Sequence, residues 1–452
     1  MGVLLAYGPP LGALGLCLFF ISFYFLKFAT DTLLIEPAVI GLLFGLSRIW
    51  DAVTDPIIGS WSDRTRTRLG RRRPWMLAAL PVIALTTVFL WSPPETLTGP
   101  PLVLWTAFGL FGFYTGLTMY YVPHQGLGAE LTLDHHERSR IFGTRHAAWM
   151  LSMMVAFGVM GVVDGADDTR GAARQAAVAI ALVAVVVLAV PALRVSERRE
   201  NWGRGGHSPI RAIRDVLGNP HAGRLMAVWF IESMGGGVLG VLAPYVTEYV
   251  TGRPELIAYL PACFFVAAIG SIPGWVLLSR RFGKRNVWVA AMLGVGFAFG
   301  GTFFLAPENL VGLFVLLAIA GACSGCGGTI GQSILADVID FDEVRSGERK
   351  EGAYSAAFGF ALKSGIGLIV IVTGFALQLS GFEPNVQQSD TALLTLRGLF
   401  AGVPFVAYVS GALIFRRFRF NEREHAEVRA VLRGRGSGSP SARSDAGDEP
   451  AF

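Results

Sequence analysis

Residues 48–75 read RIWDAVTDPIIGSWSDRTRTRLGRRRPW, an apolar run carrying three charges that turns into an arginine-rich loop. The first half reads as a membrane span, yet it holds Arg48, Asp51 and Asp55. A charge in hydrocarbon is costly, so such residues face a protein interior and have a partner or a task. Asp51 and Asp55 are four apart, stacked on one helix face, with Thr54 beside them. Two carboxylates and a hydroxyl on one face suit a hard monovalent cation or a proton. Two close negative charges do not both ionise without a counterion, and structural neutralisation by Arg48 is the alternative reading. Pro56 lacks an N–H and its ring crowds the preceding turn, which predicts disturbed helix backbone at this depth. The second half holds Arg64, Arg66, Arg68, Arg71, Arg72 and Arg73, and marks the cytoplasmic side.

The rest of the chain fits an all-α membrane protein. Of 452 residues, 52% are hydrophobic and 16% charged, against about 25% charged in soluble domains. Mean hydropathy is +0.51. A span needs about 20 apolar residues, and twelve are predicted: 11–30, 37–61, 75–92, 101–125, 143–163, 175–193, 224–249, 256–279, 286–305, 309–334, 353–379 and 393–415. With both termini cytoplasmic, 30 of the 38 Lys and Arg residues fall on the inner side. Three, Arg170, Arg174 and Arg253, fall outside. The net charge of +5 is therefore a topology signal and not a nucleic-acid footprint. No lysine or arginine precedes Lys27, so 11–30 reads as a retained span without a cleaved signal. Cys17, Cys263, Cys323 and Cys326 lie in apolar segments and read as packing residues.

The polar, basic stretch 194–223 separates six spans from six. The expected organisation is an N-terminal bundle at 1–193, a cytoplasmic linker at 194–223, a C-terminal bundle at 224–418, and a polar, disordered cytoplasmic tail at 419–452. Residues 59–64 and 70–72 after span two have an echo at 279–285 after span eight, which points to parallel repeated halves.

Arg48, Trp50, Asp51, Ala52, Asp55, Pro56, Gly59 and the run from Gly70 to Trp75 resemble the glycoside–pentoside–hexuronide:cation symporters. These are the melibiose-permease branch of the major facilitator superfamily. A second run is similar to the same family: Ala336 to Glu343, Gly347 to Gly352, Tyr354-Ser355 and Lys363. The resemblance covers nearly the whole chain. It implies the twelve-helix, two-bundle major facilitator fold in a plasma (inner) membrane. It also implies a secondary transporter that moves a small organic solute with Na+ or H+ by alternating access. Asp51, Thr54 and Asp55 are then the cation ligands, and Lys363 with Arg48 the coupling residues. Lys363 lies in the middle of an apolar span, where an ammonium needs an anionic partner, and the span-two aspartates are candidates. Asp63, Arg64, Arg71 and Arg72 match the superfamily's loop between spans two and three. They are expected to form a cytoplasmic gate, with Asp63 and the arginines pairing across the halves in one state.

The departures concern the solute. Melibiose-type members have an acidic residue in helix one and another just before the helix-four proline. Gly15 and Tyr121 stand there, Gly359 replaces a threonine near the lysine, and His124-Gln125 replaces an aromatic pair. Tyr121, His124, Gln125 and Arg145 are the remaining solute-binding candidates. Glu232, near Gly235-Gly236-Gly237, reads either as a further buried carboxylate or as a residue near the start of span seven. The expected solute is a sugar or glycoside. The runner-up is an amphipathic lysophospholipid, because lysophospholipid symporters are relatives sharing the Trp-Asp-Ala-x-Thr-Asp-Pro run. A non-transporting receptor on a transporter fold is a third reading. Enzyme chemistry is not expected, nor a cofactor beyond the coupling ion, nor a nucleic-acid partner. The partners are the solute and the bilayer, and the chain is expected to be monomeric.

Overall fold

The computed structural model describes residues 7–130, 135–195, 216, 218–347 and 350–418, with isolated positions between 424 and 431. Most of the expected linker at 194–223 and most of the tail at 419–452 lie outside the described residues.

Among the described residues, twelve long helices make up the fold. They are α1 (Pro9–Lys27), α2 (Pro37–Arg64), α3 (Arg73–Trp91), α4 (Pro100–Glu130), α5 (His135–Asp164), α6 (Thr169–Arg194), α7 (Pro220–Tyr245), α8 (Tyr259–Phe282), α9 (Lys284–Thr302), α10 (Leu310–Ser346), α11 (Glu351–Leu379) and α12 (Asp390–Phe415). Among the described residues, eleven are long and apolar enough to cross a membrane; α9 is the exception, diluted by Lys284, Arg285, Asn286 and its glycines. The local signals are plain. Proline occupies the first turn of α1, α2, α3 and α7, where its missing N–H has no helical partner to lose. Asp168, Asn219, Asn309 and Ser389 each accept from a backbone N–H at the start of α6, α7, α10 and α12. Gly347, at φ 74°, ends α10 in the left-handed conformation that costs glycine least.

Two elements differ from the sequence-based expectation. The helix is not broken at Pro56: α2 runs unbroken through it, leaving the Ala52 carbonyl without its N–H donor. The tenth span was expected to end near residue 334. It instead continues past a π turn at Gly327–Gly331 to Ser346, so the acidic stretch from Asp337 to Glu343 is helix and not a connection.

Helix neighbours repeat between the first six and the last six. In the first six, α1 packs on α5 and α6, α3 on α4 and α6, and α2 on α4. In the last six, α7 packs on α11 and α12, α9 on α10 and α12, and α8 on α10. Adding six to each number converts one pattern into the other. The equivalent helices α1 and α7 even end alike, in π turns at Phe28–Thr32 and Val246–Val250.

Between the two sets the broadest contact is α2 on α11, made through glycines. A Cβ on Gly45 would lie 2.5 Å from the Gly367 carbonyl oxygen. One on Gly41 would lie 2.8 Å from the Gly374 Cα. Without side chains at these positions the two backbones come into direct contact. A second junction lies at the arginine-poor end of the molecule. Lys27 Nζ lies 3.3 Å from Asp31, 3.1 Å from Asp164 and 2.5 Å from Glu248 on α7's terminal turn. Tyr249 donates to Asp31, and Asn385 from the α11–α12 loop donates to the Asp31 carbonyl.

Candidate ion and solute site

The α2–α11 glycine contact sets Lys363 against the aspartates of α2. Lys363 Nζ lies 2.6 Å from Asp55 Oδ2 and 3.0 Å from Asp51 Oδ2. Asp51 is wholly buried, and its second cation, Arg48, stands 3.7 Å away. The Arg48 guanidinium lies over the Tyr114 ring, 5.1 Å from its centre. Thr118 of α4 completes the cluster. Its hydroxyl is 2.8 Å from Asp51 Oδ1 and 3.1 Å from Asp55 Oδ1, and can donate to either. Thr54 donates to the Asp51 backbone carbonyl and lies 3.4 Å from the Thr118 hydroxyl. Two carboxylates, two cations and two hydroxyls thus meet at the junction of α2, α4 and α11. Two positive and two negative charges cancel, which lowers the cost of burying them.

Beside this cluster is a cavity of about 480 Å³. Its two walls differ. Leu18, Phe19, Phe23, Phe44 and Trp149 from α1, α2 and α5 form an apolar wall, interrupted by Ser22 and Arg48. The wall from the last six helices is also largely apolar, with Trp229, Trp288, Met292 and Phe358, but it sets Glu232, Ser233, Ser324, Gln332 and Tyr408 among these residues. Glu232 is therefore a cavity residue within α7. The Trp288 indole N–H donates to its Oε1 at 3.1 Å. Gly327 of α10 lies opposite: a Cβ there would stand 3.5 Å from Oε2, in ordinary contact.

The other sequence candidates lie elsewhere. Tyr121, His124, Gln125 and Arg145 do not line this cavity. Arg145 lies over the Tyr121 ring, 5.5 Å from its centre. His124 is wholly buried, stacked on Tyr7 with ring centres 4.2 Å apart, and Gln125 faces outward. The cause is local: Gly128 and Gly126 of α4 leave space for Tyr7 and for the Arg72 guanidinium, which fill this end of the helix. Gly15 is occupied by packing too, as a Cβ there would lie 2.5 Å from the Ser152 hydroxyl of α5.

In the arginine loop, Asp63 pairs with Arg72 at 3.1 Å and Arg71 at 3.7 Å. Both pairs lie within the α2–α3 connection, where Thr67 and Gly70, φ 113°, close a tight turn. Arg64 is exposed. Thr118 and Glu232 are the cavity and cluster residues that sequence patterns undervalue. Thr118 is one of three threonines in α4, with nothing in its spacing to single it out from Thr106 and Thr115, and Glu232 gives a charge signal without a depth.

A family model described as MFS/sugar transport protein matches residues 6–422. The chain belongs to this family. It is thus a membrane transporter of the major facilitator superfamily, and its relatives are transporters, not enzymes. The isoprimeverose transporter of Lactiplantibacillus pentosus is 26% identical, over 91% of this chain and 89% of the relative. The sodium-dependent lysophosphatidylcholine symporter 1 of Gallus gallus is 24% identical, over 94% of this chain and 87% of the relative. Among solved structures, an inward-facing, unoccupied bacterial homologue of the human lysosomal transporter Spinster superposes with a TM-score of 0.68. It is 14% identical and covers 95% of this chain and 97% of that one. This last likeness concerns the fold.

Proposed function

We propose that this family member is a symporter that binds a monovalent cation, Na+ or H+, at Asp51 and Asp55 and carries a sugar or glycoside with it. The observation that carries the reading is Lys363 held by both aspartates across the α2–α11 junction. A cation entering between the carboxylates competes with the ammonium and releases Lys363, so ion occupancy alters the contact between the halves. Linkage then requires the solute to tighten the ion as the ion tightens the solute. Thr54 and Thr118 supply hydroxyl oxygens. Asp63 with Arg71 and Arg72 act at the cytoplasmic gate, with both termini and the 194–223 linker on that side, in agreement with the distribution of basic residues. The two six-helix bundles rock about the solute, and the Lys27 junction closes the outer end.

The sugar class agrees with the family description and with the Lactiplantibacillus pentosus relative. The apolar wall of the cavity and the Gallus gallus relative favour a second reading, an amphipathic lysophospholipid. Mutation tests the coupling. Asp55→Asn and Lys363→Ala should reach the membrane folded and lose cation-driven uptake in proteoliposomes. Coupled uptake at wild-type rate and ion affinity in either variant would refute the mechanism.

A further inference from the structure

The cavity's hydrogen-bonding groups are unevenly placed. Its α1, α2 and α5 wall offers aromatic and aliphatic surface, and Arg48 there is already engaged by Asp51 and Tyr114. Its opposite wall is apolar over much of its area too, but sets a carboxylate, hydroxyls and an amide beside Trp229 and Trp288. Glu232 is the informative member. Among the described residues no lysine, arginine or histidine lies within ion-pair distance of it, and its one described hydrogen bond comes from the Trp288 indole. A carboxylate has room for about four hydrogen bonds. In the open cavity water satisfies the rest; when the carrier closes around a solute, that water leaves and the solute must replace it, because a buried unpaired acceptor is costly. Gln332 is exposed to the same cavity, with no described hydrogen bond from its side chain, and offers both donor and acceptor. Fixed carboxylate, amide and hydroxyl groups on one wall match a ring of hydroxyls.

We infer that Glu232 and Gln332 bind the sugar hydroxyls of an aryl- or alkyl-glycoside whose apolar aglycone lies against Leu18, Phe19, Phe23 and Phe44. The inference rests on the sugar reading above and names the side of the cavity that grips the sugar. It fits the packing at Gly15, where a Cβ would meet the Ser152 hydroxyl at 2.5 Å, and α7 supplies a carboxyl group from the other half.

The test uses purified full-length protein and thermal shift in the presence of Na+ at several pH values. The probes are the 4-nitrophenyl glycosides of galactose, glucose and xylose, the free sugars, and palmitoyl-lysophosphatidylcholine. Binding stabilises the folded state by mass action, so affinity follows from the concentration dependence. At least one aryl glycoside should bind about tenfold or more tightly than its free sugar, through aglycone burial. Glu232→Gln should weaken that glycoside about tenfold, as expected when one carboxyl oxygen facing a sugar hydroxyl is replaced by an amide N–H2. Gln332→Ala, which removes no described contact within the protein, should weaken it less. It keeps the proposal testable if Glu232→Gln folds poorly. Glycosides that bind both variants with wild-type affinity would overturn this inference and leave the sugar reading intact. A panel in which no glycoside shifts melting, whether or not the lysophospholipid does, would overturn the inference together with the sugar reading.

Discussion

Asp51 and Asp55 are held by donors from two other helices, Thr118 on α4 and Lys363 on α11. The ammonium provides charge; the hydroxyl provides direction. Thr118 can donate to a carboxylate when the site is empty and turn a lone pair to a cation when it is filled. Replacing it with valine keeps the volume and removes both options. A hydrogen bond to a charged group is worth about 1.5–3 kcal/mol. Thr118→Val should therefore weaken coupling-ion affinity by about tenfold or more, measured by Na+- or H+-dependent thermal stabilisation, with expression near normal. Unchanged ion affinity would make Thr118 a spectator.

At the scale of elements, the cluster depends on how close α2 and α11 lie. Gly41 and Gly45 are four apart on α2 and meet Gly374 and Gly367 on α11. A side chain at Gly45 would meet the Gly367 carbonyl, which is backbone and cannot rotate away. Gly45→Val should separate the helices, lower stability by about 1–3 kcal/mol as overpacking does, and abolish coupled uptake by withdrawing Lys363. Gly270→Val is the control, because a Cβ there meets nothing within 4 Å. Equal melting temperatures for the two variants would show that the α2–α11 approach tolerates bulk. Helices themselves were readable in the sequence, from apolar runs about 20 residues long. Pro56 misled, since a proline removes one hydrogen bond but leaves α2 packed on α4 and α11 along its length. The extension of α10 was hidden for another reason: Asp337 to Glu343 look like a loop by polarity, yet Asp337 pairs with Lys284 and Asp342 with Lys350.

For the whole molecule, the arginine-poor end is joined by Lys27 among Asp31, Asp164 and Glu248, one cation to three carboxylates. Removing the lysine leaves three negative charges in a half-closed space, and they repel. Lys27→Met should shift the carrier toward opening at that end. A Ser22→Cys reporter on the cavity wall, in a background without native cysteines, should then label faster with an impermeant maleimide applied outside intact cells. No increase would mean that other contacts hold this end closed or that the topology is reversed.

The sequence by itself determined the solvent and the class of fold. Apolar length, the arginine loop and the motif runs at 48–75 and 336–363 specify a helical membrane protein of the major facilitator type. These signals are local: a span is a run of side chains meeting lipid, and a helix face is set by spacing along one element. Tertiary structure decided which residues meet. Thr118 reaches Asp51 across 67 residues and Lys363 reaches Asp55 across 308, contacts that no periodicity within one helix records. The same holds for Glu232, which the fold places in the cavity wall against the Trp288 indole, and for Arg145 and His124, which lie against Tyr121 and Tyr7. A sequence states that a membrane helix carries a charge; only the packing of its neighbours decides whether that charge meets an ion, a solute or another side chain, because in hydrocarbon each such charge is held by whatever partner the fold brings within a few ångströms.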